Sequence, residues 1–210
     1  LSWIFSLIFA TWAAKSKTAE RFIIPAIDVL QSVPILGFLP IGFYGFMMLF
    51  PHSMLSLQCA AIFALFTSQV WNITLSLYQG LRSVPKDLIE AADMYQLTGW
   101  QKYWQIEIPH ALPNVVWNSM LSLSAGWFFV VASESITIAH HNIMLPGIGS
   151  YIALAVQAGN LSAITQAILM MLFIILIYDQ LMLRPLVFWT NKFKGTPQED
   201  DITEKTWVME

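Results

Sequence analysis

Ionisable side chains are scarce in this chain, and five of them fall in one interval: Asp87, Glu90, Asp93, Lys102 and Glu107. The run Leu88-Ile-Glu-Ala-Ala-Asp-Met-Tyr-Gln-Leu-Thr-Gly-Trp-Gln-Lys-Tyr-Trp-Gln-Ile-Glu-Ile-Pro109 reads as a helix, a Gly break, a second short helix and a Pro stop. Acids near the start of the first helix sit where the helix dipole favours them, and Pro85 suits a first turn. Gly99 breaks the helix, residues 100–106 form the second, and Pro109 with Pro113 end it. The chemistry open to such a set is recognition. A charged helix-turn-helix seats as a rigid peg in a socket on another protein, or lies on lipid headgroups as an amphipathic connector. No Gly-x-x-x-x-Gly-Lys-Ser/Thr phosphate loop, Ser/His/Asp set or His-Glu-x-x-His motif occurs, so the chain is read as no enzyme, with its energy supplied by a partner or an ion gradient.

Glu134 stands apart, at the end of an apolar run in Ala132-Ser133-Glu134-Ser135. An ionisable group at membrane depth is costly and faces a pathway or a partner; the plainer alternative is that it marks the outer water interface. Glu134, with Ser133 and Trp127 upstream, forms the candidate pathway or gating set. Core or lipid packing is the competing role for Trp127 and Phe129. His140-His141-Asn142 suggests a metal only weakly, because adjacent histidines do not share a helix face and no third ligand is near. Asp179 and Arg184 read as a pair anchoring a helix end, Asp28 as part of a polar face, and Cys59 as a packed thiol without a partner.

The elements that position these groups are membrane helices. The chain is 57% hydrophobic and 11% charged, against roughly 25% charged in soluble domains. No charged residue occurs between Asp28 and Arg82, between Glu107 and Glu134, or between Glu134 and Asp179. Such gaps accommodate spans of about 20 apolar residues. Apolar runs and breakers give five crossings, at 1–14, 33–50, 57–81, 113–133 and 161–183, with a short interfacial helix at 24–32 and a kink at Pro34. The short first run suggests a fragment that begins inside a helix. Five crossings put all ten Lys and Arg residues on one face: Lys15, Lys17, Arg21, Arg82, Lys86, Lys102, Arg184, Lys192, Lys194 and Lys205. The positive-inside rule makes that face cytoplasmic, and Trp100, Trp104, Trp117 and Trp189 fall near the interfaces. Residues 1–190 form the transmembrane domain, with a cytoplasmic loop at 83–112, and 191–210 form an acidic cytoplasmic tail.

Glu90-Ala91-Ala92, followed by Ile106-x-Ile108-Pro109, resembles the EAA loop of binding-protein-dependent ABC importer permeases. That pattern is Glu-Ala-Ala, three residues, Gly, nine residues, Ile, one residue, Leu-Pro. The spacing holds throughout, with Gln96 where Gly is expected and Ile108 where Leu is expected. Gln96 moves the turn elsewhere, with Gly99 the candidate. Trp117-Asn118, the run Gly126-Trp-Phe-Phe-Val-Val-Ala-Ser-Glu134 and Leu145-Pro-Gly-Ile-Gly-Ser-Tyr151 are similar to the nitrate/sulfonate/taurine-type branch, and to a subgroup with tandem permease halves.

The resemblance implies an all-α polytopic bundle of the type I importer kind in a bacterial inner membrane. Its coupling set is Glu90, Ala91, Ala92, Gln96, Thr98, Gly99, Ile106 and Pro109. Implied partners are cytoplasmic ABC ATPase subunits, a second permease half (a homodimer or a tandem half of one chain), an extracytoplasmic substrate-binding protein and the lipid bilayer, with no nucleic acid. ATP and Mg would reside in the ATPase, and this chain would bind no cofactor. The implied cargo is a small anion such as nitrate, a sulfonate or bicarbonate. A gradient-driven carrier without an ATPase is the alternative; it needs ion-coupling polar groups in mid-membrane, and the spans are nearly free of charge.

Overall fold

The computed structural model describes residues 1–33, 35–51, 54–134, 137–138, 141–142 and 146–193. Pro34, His140 and the acidic run of the tail lie outside them. The helices are α1 (Ser2–Lys15), α2 (Lys17–Ser32), α3 (Ile35–Leu49), α4 (Met54–Arg82), α5 (Lys86–Met94), α6 (Gly99–Lys102), α7 (Ile108–Glu134), α8 (Ile148–Gln157), α9 (Leu161–Tyr178) and α10 (Arg184–Asn191). A two-residue antiparallel pair, Thr137–Ile138 with His141–Asn142, is the one departure from an all-α architecture among the described residues.

Among the described residues, three continuous helical runs are long and apolar enough to cross a membrane: Leu55–Arg82, Gly99–Glu134 and Leu161–Asn191. Of the five crossings expected, those at 1–14 and 33–50 correspond to α1 and α3, of 14 and 15 residues. At about 1.5 Å per residue α3 alone does not reach the roughly 30 Å of a hydrocarbon core. The interfacial helix is longer than expected. It starts at Lys17, directly after a break at Ser16, and carries Pro25 inside it. The loop expected at 134–160 contains α8, a short apolar helix.

Two compact units divide the chain. Of the described residues, one comprises those within 1–29, 70–121 and 178–193, the other those within 30–69 and 122–177. In the first, Ile73, Leu77 and Leu81 of α4 recur every fourth residue and pack with Ala10, Ile108, Ala111 and Val115. Such spacing lines one helix face. Small residues let the backbones close: a Cβ added at Gly80 would stand 2.6 Å from Ala111 Cβ and 2.8 Å from its Cα, the close approach that small residues permit between membrane helices. Ser6 and Thr74 share a buried hydrogen bond of 2.9 Å. In the second unit, Phe43 and Ala60 are buried against Phe46 and Leu57.

The loop backbone corrects two expectations. First, Pro109 and Pro113 do not stop the second loop helix: α6 runs through a π turn, Tyr103–Glu107, straight into α7. The Ile108 N–H bonds Tyr103 O, five residues back, and the wider turn re-registers the ladder just before a residue that has no N–H and crowds the carbonyl four residues behind it. The same device recurs at Asp179–Leu183, where the Arg184 N–H bonds Asp179 O immediately before Pro185. Second, the turn after α5 is made at Gln96, not Gly99. Gln96 has φ 54°, the one positive φ outside glycine among the described residues. Its N–H bonds Asp93 O and the Leu97 N–H bonds Ala92 O, both at 3.0 Å. That pair of bonds closes a helix C-terminus around a left-handed residue, a position that favours Gly. The hydrogen bonds hold Gln96 there despite its Cβ. Gly99 instead opens α6 behind a capping box in which Thr98 Oγ1 accepts from the Gln101 N–H and Gln101 Oε1 from the Thr98 N–H.

Two outcomes follow. Gly80→Ala should destabilise the helix pair by about 1–3 kcal/mol through overpacking; it would read as a lower unfolding temperature in detergent, recovered only in part in a Gly80→Ala/Ala111→Gly double variant because the Cα of residue 111 stays in contact. Gln96→Gly should stabilise the loop by about 1 kcal/mol by removing the left-handed penalty, slowing amide exchange at residues 96–98, with Gln96→Val doing the reverse.

Candidate functional site

α5 presents two unlike faces. Ala92 is 2% exposed and Ala91 half-buried, while Asp87, Glu90 and Asp93 are exposed. Ala92 is thus packed within the chain, and Glu90 is the member of Glu-Ala-Ala open to a partner. At the tip, Met94 and Tyr95 are 85% and 82% exposed, two large side chains held out by the Gln96 turn. An ion pair between Lys102 and Asp93 bridges the turn from α6 back to α5. Beyond it, Trp100, Tyr103 and Trp104 form an aromatic group, with Trp104 edge-on to both others at 5.6 and 5.3 Å. Ile106 and Pro109 are half-buried, and Ile108 joins the core.

The π turn ties this loop to the first helix. Tyr103 Oη shares a 2.7 Å hydrogen bond with Thr11 Oγ1, and Lys15 Nζ donates to both oxygens of Glu107. Thr11 and Lys15 lie one turn apart on α1, as Tyr103 and Glu107 do on the loop, so the two contacts form consecutive rungs. Nearby, Tyr78 donates to the Glu20 carboxylate at 2.5 Å, with Arg82 3.8 Å from the same group. Sequence alone singled out none of Thr11, Glu20 or Tyr78; the one signal was the matched four-residue spacing of a polar pair on each helix. Asp179 and Arg184 do pair, at 3.0 Å. Five residues separate them, and the π turn between them turns both to one side.

The candidates at the other end of α7 are drawn into local structure. Ser133 is buried and donates to Val130 O; Trp127 is half-buried. Glu134 Oε2 accepts the Gly149 N–H at 2.6 Å. The N-cap of α8 is Gly147, which offers no side chain, so the Glu134 carboxylate supplies the oxygen that an N-cap side chain would. A Cβ at Gly147 would collide with that carboxylate, and one at Gly149 with Val131 O. Among the described residues no group of three or more His, Cys, Asp and Glu is placed to hold a metal.

Residues 4–184 match the family described as the binding-protein-dependent transport system inner membrane component. The nitrate import permease protein NrtB of Leptolyngbya laminosa is 27% identical over 145 residues, 69% of this chain and 47% of that protein. The putative aliphatic sulfonates transport permease protein SsuC of Bacillus subtilis is 24% identical over 192 residues, 90% and 64% of the two chains. The glycine betaine/carnitine transport permease protein GbuB of Listeria monocytogenes is 30% identical over 128 residues, 60% and 42%. The chain spans about half the length of the first of these relatives. With the family pattern covering residues 4–184, and three apolar helices of membrane-crossing length among the described residues, the chain belongs to the inner membrane components of binding-protein-dependent transport systems.

Proposed function

We propose that this chain forms part of the translocation pathway of an ABC importer in a bacterial inner membrane, and that loop 83–112 couples it to a cytoplasmic ATPase. The observation that carries the proposal is the built form of the loop: Glu90 exposed, Met94 and Tyr95 projecting, and the backbone behind them fixed by the Gln96 turn and the Thr98 cap. Glu90 would meet basic and polar groups of a groove on the ATPase. α6 continues into α7 without a break, so a displacement imposed on the loop would be carried into the span. ATP and Mg belong to the ATPase, and this chain supplies neither binding site nor catalysis. A second permease half, fused or separate, and an extracytoplasmic binding protein complete the assembly.

For the cargo, the names of NrtB, SsuC and the bicarbonate transport system permease protein CmpB of Synechocystis support a small anion such as nitrate, a sulfonate or bicarbonate, whereas GbuB is named for glycine betaine and carnitine. Glu134, Ser133 and Trp127 are proposed to act at a gate, with Glu134 holding the first turn of α8 rather than binding the cargo.

Glu90→Lys should abolish transport and the co-purification of an ATPase from detergent-solubilised membranes, while membrane insertion stays at the wild-type level. An ATPase retained by the variant would remove the coupling role of Glu90, and an ATPase absent with wild type as well would favour a gradient-driven carrier.

A further inference from the structure

In the first unit, the exposed residues of α4 between Val70 and Arg82 are Asn72, Gln79 and Arg82, all polar. Asn72, Ser76 and Gln79 are spaced by four and three residues and share one face. α7 answers with Asn114 and Asn118, one turn apart. The helices run antiparallel here, and the side chains interlock. Asn118 Nδ2 donates to Ser76 Oγ at 3.1 Å and Asn114 Oδ1 at 3.0 Å, and Asn72 Nδ2 to Asn118 O at 3.2 Å. Toward the loop the same face continues through Ser83 and His110, 3.4 Å apart. The result is a polar seam from the loop end to Asn72.

Its depth is what matters. Asn72 lies ten residues before Arg82, about 15 Å along the helix, half of a roughly 30 Å hydrocarbon core. Asn72 is exposed at that depth, and Asn114, beside Ser76, is exposed nearer the loop end. Amides turned toward lipid would lose water without full compensation, so polar groups at such depth face a water-filled cavity or a partner. The lipid-like surface of this protein looks different: on α9, Leu169, Leu172 and Phe173 are 51–60% exposed and wholly apolar.

We propose that the Asn72–Ser76–Asn114–Asn118 seam is a wall of the aqueous pathway, along which a small solute exchanges hydration water for amide and hydroxyl groups. This rests on the transport reading above. The neutral amides offer donors to an anion without a fixed cation to trap it.

Single cysteines at Asn72, Asn114 and, as a control, Leu169 in a Cys59→Ala background test it. The probe is a charged, membrane-impermeant methanethiosulfonate applied to inside-out vesicles. Asn72→Cys and Asn114→Cys should react about tenfold or more faster than Leu169→Cys, as groups lining water do. Rates equal to that of Leu169→Cys overturn the proposal, as does a disulfide joining two copies through Asn72→Cys, which would make the seam a helix interface. Should the asparagine variants fail to insert, Ser68→Cys, one turn beyond Asn72 on the same face of α4, reads the face at depth from a side chain outside the interhelical set. Labelling needs no ATPase, so fast labelling without a co-purifying ATPase supports the wall while the coupling role fails. Slow labelling with an ATPase bound overturns the wall alone.

Discussion

A proline inside a continuous helix leaves backbone groups without their partners, and that constraint governs how this chain carries two of its helices past Pro109 and Pro185. Pro109 and Pro185 each stand two residues after the end of a π turn, and in both cases the preceding residue bonds a carbonyl five positions back. A proline in an α-helix removes one N–H and presses its ring on the carbonyl four residues earlier. Widening the turn just ahead of the proline moves that carbonyl aside. The helix continues, so Gly99–Glu134 and Leu161–Asn191 remain unbroken.

The same wide turns decide which side chains meet. Asp179 and Arg184, five apart, come to one side of their helix and pair. Tyr103 and Glu107, on the other π turn, face Thr11 and Lys15. An exposed ion pair contributes little to stability by itself, about 0–1 kcal/mol. Its value here is geometric: two rungs fix the rotation of the loop base against α1, while Gly80 against Ala111 fixes the separation of α4 and α7. Together these contacts hold the base of the loop against α1 within the first unit.

The long charge-free gaps made the membrane class and the helices α4, α7 and α9 legible in the sequence, because hydrocarbon forbids unpaired charge and the gaps record it. The spacing of Glu90, Ile106 and Pro109 made the family legible as well. What escaped were outcomes decided by tertiary contact. Pro109 reads as a stop by local propensity, yet the helix persists because a π turn absorbs it. Gln96 reads as a poor left-handed residue and Gly99 as a good one. The C-terminal bonds of α5 nevertheless close at residue 96, and Thr98 captures Gly99 into the next helix. α8 was hidden by Gly147 and Gly149, which look like loop residues. The rungs from α1 to the loop join residues 92 apart in sequence, beyond any local pattern.

Those two glycines show how a site can be fixed by space rather than by backbone freedom. Gly147 is fully extended, at φ −179°, a conformation open to any residue, so its turn does not demand glycine. At Gly149 the demand comes from the Val131 backbone, which fills the volume a Cβ would need, while at Gly147 a side chain would meet the Glu134 carboxylate and push it from the Gly149 N–H. An acid at the C-terminus of its own helix is electrostatically disfavoured. Accepting a backbone N–H at the N-terminus of α8 offsets that, since the dipole there has the opposite sense. Glu134 therefore owes its tolerance at this position to α8, and α8 owes its capped first turn to Glu134. A displacement of this end of α7 must carry α8 with it or break that bond.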